Sequence, residues 1–155
     1  MEQKTKVTAE NGKQEITVTR EFELPLDLLF KAYVDADIVG QWMGTKVLKL
    51  ESKPHGSYQF ETADGKGNVV FRANGVIHTF IPGQKIIRTF EMENTPFGVQ
   101  LEVYEFESLG AGTSKLNMRT IFESVTQRDQ ILQLGMGQGI GMAHDRLQSV
   151  VGKLK

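Results

Sequence analysis

The sequence predicts an α+β fold in which a curved antiparallel sheet of about six or seven strands surrounds a long carboxy-terminal helix, with two short helices after the first strand. Three observations predict it. Six segments of strand-like period follow Gly44 in succession, punctuated by turn-forming Gly, Pro and Asn. The stretch from Thr126 to Lys155 instead carries apolar residues at steps of three or four, the period of one helix face. A sheet with one protected face needs a cover, and no other element is long enough to supply it.

Taken in order, residues 1–13 read as a flexible or hairpin arm ending in the turn pair Asn11-Gly12, and residues 14–155 as one domain. Ile16, Val18 and Phe22 alternate with Thr17, Thr19 and Glu21, which makes the first secure strand. Pro25 suits the start of a short helix, Asp27 favours its first turn, and Leu26, Leu29, Phe30 and Tyr33 form its apolar face. Asp35 caps a second short helix that points Ile38, Val39 and Trp42 inward and is released at Gly44. The strands expected next are Val47 to Leu50, Ser57 to Thr62, Val69 to Phe80, Lys85 to Met92, Val99 to Glu107 and Ser114 to Phe122. Val69-Val70-Phe71 and Val103-Tyr104 are apolar on both faces, which fits a bulge or strong curvature and also permits a cavity.

The closing helix, expected from Gln127 to Leu154 with Ser124 or Thr126 as cap, would be about 42 Å long at 1.5 Å per residue. Its stripe runs through Leu132, Met136, Ile140, Ala143, Leu147, Val150 and Leu154. Gly135, Gly137, Gly139 and Gly141 interrupt it at alternate positions, each destabilising a helix interior by about 0.5–1 kcal/mol relative to Ala. Two explanations stand: close backbone packing or a bend, and room for a ligand beside Met136 and Ile140.

Composition narrows the function. With 155 residues, 18 basic and 19 acidic side chains and a net charge of -1, the chain has no general electrostatic attraction for nucleic acid. It lacks cysteine, so thiol catalysis and disulfides are excluded, and its three histidines are too far apart for a local metal motif. No apolar run suggests a membrane span or a secretory signal, so a cytoplasmic protein is expected. No cofactor and no metal are expected.

The string ITVTREFELPLDLLFKAYVDADIVGQWMG, which begins at Ile16, resembles the opening of the activator-of-Hsp90-ATPase homologue family. Arg20, Pro25, Phe30 and Trp42 fall on that family's strand-end arginine, helix-opening proline, helical aromatic and signature tryptophan. The likeness continues through KPHGSYQFE, GVIHTFIPGQKIIRTFEM, LEVYEFESLGAGTSKLNMRTIF and AHDRLQSVVGKL, covering nearly the whole chain from Gln14. Ile77 and Thr79 depart from it, standing where the family commonly has an aromatic and an acidic residue. The resemblance implies a helix-grip fold of the START/Bet v 1 type within the SRPBCC superfamily. It also implies an apolar cavity, used in different relatives for ligand binding, enzymatic chemistry or protein association.

The expected function is noncatalytic binding of a small hydrophobic or amphipathic molecule between sheet and closing helix. Trp42 offers a flat wall, and Phe60, Phe71, Phe90 and Tyr104 offer further aromatic lining. Met136, Gly139 and Ile140 bring the glycine-rich helix to the same space. Arg72, favoured over Arg20, Arg88 and Arg119 because it lies among apolar residues, and His78 are the polar candidates for ligand contact. No catalytic residue is assigned. One alternative is a cyclase- or hydratase-like enzyme acting on a polyketide-like or aromatic substrate, with His78, Arg72 or Tyr104 guiding protons. Another is a stress-response or Hsp90-associated module whose partner is a protein or a second copy of the chain.

Overall fold

The computed structural model describes residues 4–155. In chain order the elements are β1 (Lys6–Thr8), β2 (Glu15–Phe22), α1 (Leu26–Val34), α2 (Ala36–Met43), β3 (Lys46–Leu50), β4 (Ser57–Ala63), β5 (Val69–Ile81), β6 (Lys85–Met92), β7 (Val99–Gly110), β8 (Thr113–Ile121), α3 (Val125–Gln133) and α4 (Met136–Gly152). All strands join one antiparallel sheet of order β1-β2-β8-β7-β6-β5-β4-β3. β3 to β8 form a meander, and the α1–α2 pair carries the chain from β2 to the opposite edge of the sheet. The arm adds an eighth strand to the expected six or seven, with Val7 opposite Val18. The first three residues of that arm lie outside the described residues.

Local chemistry accounts for the short helices. The Asp35 carboxylate accepts from the backbone N–H groups of Asp37 and Ile38, and Gly44 closes α2 in the left-handed conformation at φ 65°. Pro25 precedes α1 in extended backbone, and Asp27 sits in its first turn. Between α1 and the sheet, Leu29, Phe22, Leu24 and Leu116 are fully buried, each stabilising the fold by about 1.5–3 kcal/mol.

The closing segment departs from the expectation of one long helix. Ser124 caps α3 by accepting from the Gln127 N–H, and the chain then breaks at Leu134-Gly135, where Gly135 has φ 88°. Leu134 and Gly135 bond back to Ile131 and Leu132 in tight turns, and α4 starts with Gly139 bonded to Gly135. The reason is local. A left-handed residue cannot continue a right-handed helix, and the glycine run makes that break inexpensive. Close packing is not what the glycines supply: a β-carbon on Gly139 or Gly141 would meet nothing, and one on Gly137 only ordinary contact with Val7. α4 rests on α2 and α1, with Leu147 and Val151 fully buried. None of the helices among the described residues is long and apolar enough to cross a membrane.

Candidate functional site

Strand alternation decides which side chains face α4. On β6, Ile86, Arg88, Phe90 and Met92 share one face, and on β7 the register sets Glu102 opposite Arg88 and Tyr104 opposite Ile86. On β5, Phe71, Ala73 and Gly75 face the same interior as Phe60 of β4. α2 adds Val39, Trp42 and Met43, and α4 adds Met136, Gly139, Ile140, Ala143 and His144. The space they enclose is about 450 Å³, room for a small organic molecule. Leu134 lines this cavity and is also 67% exposed, so the break between α3 and α4 forms its mouth.

One polar cluster stands in this apolar wall. The Arg88 Nε–H donates to Glu102 Oε1 at 2.9 Å, its Nη2 donates to the Tyr104 hydroxyl at 2.9 Å, and that hydroxyl donates to Glu102 Oε1 at 2.9 Å. The Gln100 amide donates to the other carboxylate oxygen of Glu102 at 3.3 Å. Arg88 is 7% exposed and Glu102 5%, so each charge depends on the other for compensation. The guanidinium also lies over the rings of Tyr58 at 4.5 Å and Tyr104 at 5.0 Å, which fixes its plane. Tyr58 is held in turn by donating to the Thr89 carbonyl, a fit that requires Gly75, since a β-carbon there would collide with that carbonyl and the Tyr58 ring. Burial pushes the Tyr104 hydroxyl well above its ordinary value, and although burial alone would lower Arg88, the cluster around it, with the Glu102 carboxylate as its anion, keeps the guanidinium well above its ordinary value.

A second cluster closes the α4 side. His144 Nδ1 lies 2.7 Å from the Thr5 hydroxyl, which also accepts from Arg20 Nη1 at 3.3 Å, and Arg20 pairs with Asp145 at 2.9 Å. The Phe22 ring meets the imidazole edge-on. Burial, reinforced by the Arg20 charge against the weaker opposing pull of Asp145, lowers His144 from 6.5 to about 4. As pH falls through this window the unfolded chain takes up the proton while the native chain resists it. Native stability is therefore expected to drop from about pH 6.5 down to about pH 4, by up to about 3 kcal/mol. Urea titrations across this range should show a shallower decline for His144→Gln; equal slopes in both proteins would contradict the assignment.

Of the ten residues expected at the site, Trp42, Phe60, Phe71, Phe90, Tyr104, Met136, Gly139 and Ile140 line the cavity. Arg72 and His78 do not. Both sit on the outer face of β5, where Arg72 pairs with Glu61 of β4 at 3.3 Å and His78 is exposed beside His55. The physical reason is register: Phe71, Ala73, Gly75 and Ile77 take the inner face, and the irregularity between Ile77 and Thr79 leaves His78 outside. Arg88, considered alongside Arg72 in the sequence, is the inward guanidinium. Glu102, Gln100, Tyr33 and His144 complete the polar lining. Among the described residues no cluster of three or more His, Asp or Glu is placed to hold a metal ion.

Comparison with known proteins bears on the fold. A family model described as Activator of Hsp90 ATPase homolog 1-like protein matches residues 23–152. No curated protein matches. Similar solved structures include a Rhodobacter sphaeroides protein, with 15% identity and a TM-score of 0.84 over 97% of this chain and 99% of that one. An Arthrobacter aurescens protein has 15% identity and a TM-score of 0.85 over 96% of this chain and 91% of its own. Protein Ms6760 from Mycobacterium smegmatis has 18% identity and a TM-score of 0.80 over 94% of each chain. At such identities these structures speak to the fold alone.

Proposed function

Since the chain belongs to the Activator of Hsp90 ATPase homolog 1-like family, whose helix-grip architecture it shares, we propose that it binds a small hydrophobic or amphipathic molecule between the sheet and α4, without turnover. The observation that carries this reading is the 450 Å³ cavity, walled by aromatic and aliphatic side chains and holding one fixed polar cluster. Apolar area removed from water supplies the binding free energy at about 25 cal/mol per Å², and the polar cluster supplies orientation.

The enzymatic alternative has less support. His78 lies outside the cavity, and Tyr104, the one proton-guiding candidate that lines it, is pushed by burial far from the neutral range in which a general acid or base is efficient. The reading is tested by titrating the protein with the neutral fluorescent probe N-phenylnaphthylamine. Saturable binding at one site per chain is expected, with affinity reduced about 5-fold or more in Gly139→Leu, whose new side chain would occupy open space at the cavity mouth. Probe fluorescence that rises without saturation, or a folded Gly139→Leu protein that binds as well as the wild type, would contradict it.

A further inference from the structure

The chemistry of the ligand's polar end follows from how Arg88 is used. A guanidinium has five N–H donors, and here Nε serves Glu102 and Nη2 serves Tyr104. Neither hydrogen on Nη1 has a partner among the described residues, and Nη1 is not among the unpartnered atoms sealed inside the protein. In a residue that lines the cavity, that leaves a donor pair open to a ligand. The guanidinium is held from several directions, by Glu102, the Tyr104 hydroxyl and the Tyr58 ring, so aiming it at a ligand requires little further ordering.

Charge then selects among oxygen acceptors. Arg88 and Glu102 are the full charges of the lining, and they compensate each other directly. His144, the other basic group at the wall, is held neutral by its burial. A carboxylate or phosphate would bring a second negative charge close to Glu102 with no further cation in the lining to balance it, since the Arg20 guanidinium behind His144 is already paired with Asp145, and an uncompensated charge is strongly disfavoured there. A neutral carbonyl oxygen meets no such opposition and still gains a hydrogen bond from a charged donor. Resting on the ligand-binding reading above, we infer that the cavity is selective for apolar molecules bearing a neutral carbonyl, an aromatic ketone or quinone in type, with the carbonyl oxygen on Arg88 Nη1.

Three probes with one tricyclic body separate the cases: fluorenone, fluorene and fluorene carboxylate. Calorimetric affinities are measured for the wild type and for Arg88→Met/Glu102→Leu/Tyr104→Phe, which removes both charges together with the hydroxyl bonded to both and leaves none of the three orphaned. The ratio of fluorenone to fluorene affinity is expected to be about 10- to 100-fold larger in the wild type than in the triple variant, and the carboxylate is expected to bind the wild type more weakly than the ketone. The infrared carbonyl stretch of fluorenone bound to wild-type protein, which needs no variant, should lie below its position in an aprotic solvent. Equal ratios in the two proteins, an unshifted stretch, or tighter binding of the carboxylate would overturn the carbonyl assignment while leaving cavity binding in place. If none of the three probes binds, the cavity reading falls with it.

Discussion

Replacing Arg88 with alanine is expected to destabilise the protein by about 3–5 kcal/mol, because Glu102 would be left as a buried carboxylate without its compensating charge. The effect exceeds the loss of a hydrogen bond, about 1 kcal/mol, since desolvation of the surviving partner dominates. It also removes the cation seated between the Tyr58 and Tyr104 rings. Removing both charges and the hydroxyl between them in Arg88→Met/Glu102→Leu/Tyr104→Phe should return most of the lost stability, because the replacements fill similar volume and bury neither an ion nor an unpartnered hydroxyl. Equilibrium urea unfolding measures both variants. If Arg88→Ala loses less than about 1 kcal/mol, the pair is not sealed from water and the electrostatic account of the cavity fails. Recovery of stability in the triple variant would leave ligand orientation, the role proposed for the cluster, as what the charges add.

Trp42→Ala is expected to destabilise by a similar amount, about 3–5 kcal/mol, through lost burial and the void it leaves. Trp42 is 3% exposed, its ring meets Tyr33 edge-on at 5.2 Å, and its backbone carbonyl accepts from Arg146 Nε on α4. The indole N–H donates to the Ala32 carbonyl at 2.7 Å, near the end of α1, where helix carbonyls lack intrahelical partners. Trp42→Phe keeps much of the apolar contact and loses this bond, so it should destabilise by about 1–3 kcal/mol. Thermal and urea unfolding of the two variants separate the contributions; equal losses would mean that the hydrogen bond alone accounts for the effect. Trp42 thus combines core packing with a place in the cavity wall.

The fold was legible because its signals are local: turn residues at strand ends, Asp35 and Ser124 at helix starts, and Gly44 at a helix stop. Even the break in the closing helix left a trace in the glycines from Gly135 to Gly141, although only the backbone reveals that Gly135 is the left-handed residue. Strand faces were harder to read. Arg72 is flanked by apolar residues, but a side chain's neighbours in sequence lie on the opposite face of a strand, so that setting argues for the wrong side. The signal that identifies Arg88 lay in the turn at Asn94-Thr95-Pro96. Arg88 and Glu102 lie seven residues to either side of Thr95, and the observed register pairs them directly. An opposite-charge pair facing each other on an otherwise apolar strand face marks a buried polar cluster more specifically than either residue marks it alone. His144 could not be placed from sequence because its exposure depends on the rotation of α4 against Thr5 and Phe22, contacts made across most of the chain's length.

The central claim is that the space between sheet and α4 receives a ligand whose polar end meets Arg88. Heteronuclear NMR of isotopically labelled wild-type protein titrated with fluorenone tests it most directly. Binding should shift the Arg88 side-chain N–H signals and the Trp42 indole N–H, and intermolecular Overhauser contacts should connect the probe to Phe60, Phe90, Met136 and Ile140. Contacts confined to the outer face of the sheet, around Arg72 and His78, with the Arg88 and Trp42 signals unmoved at saturation, would contradict the account.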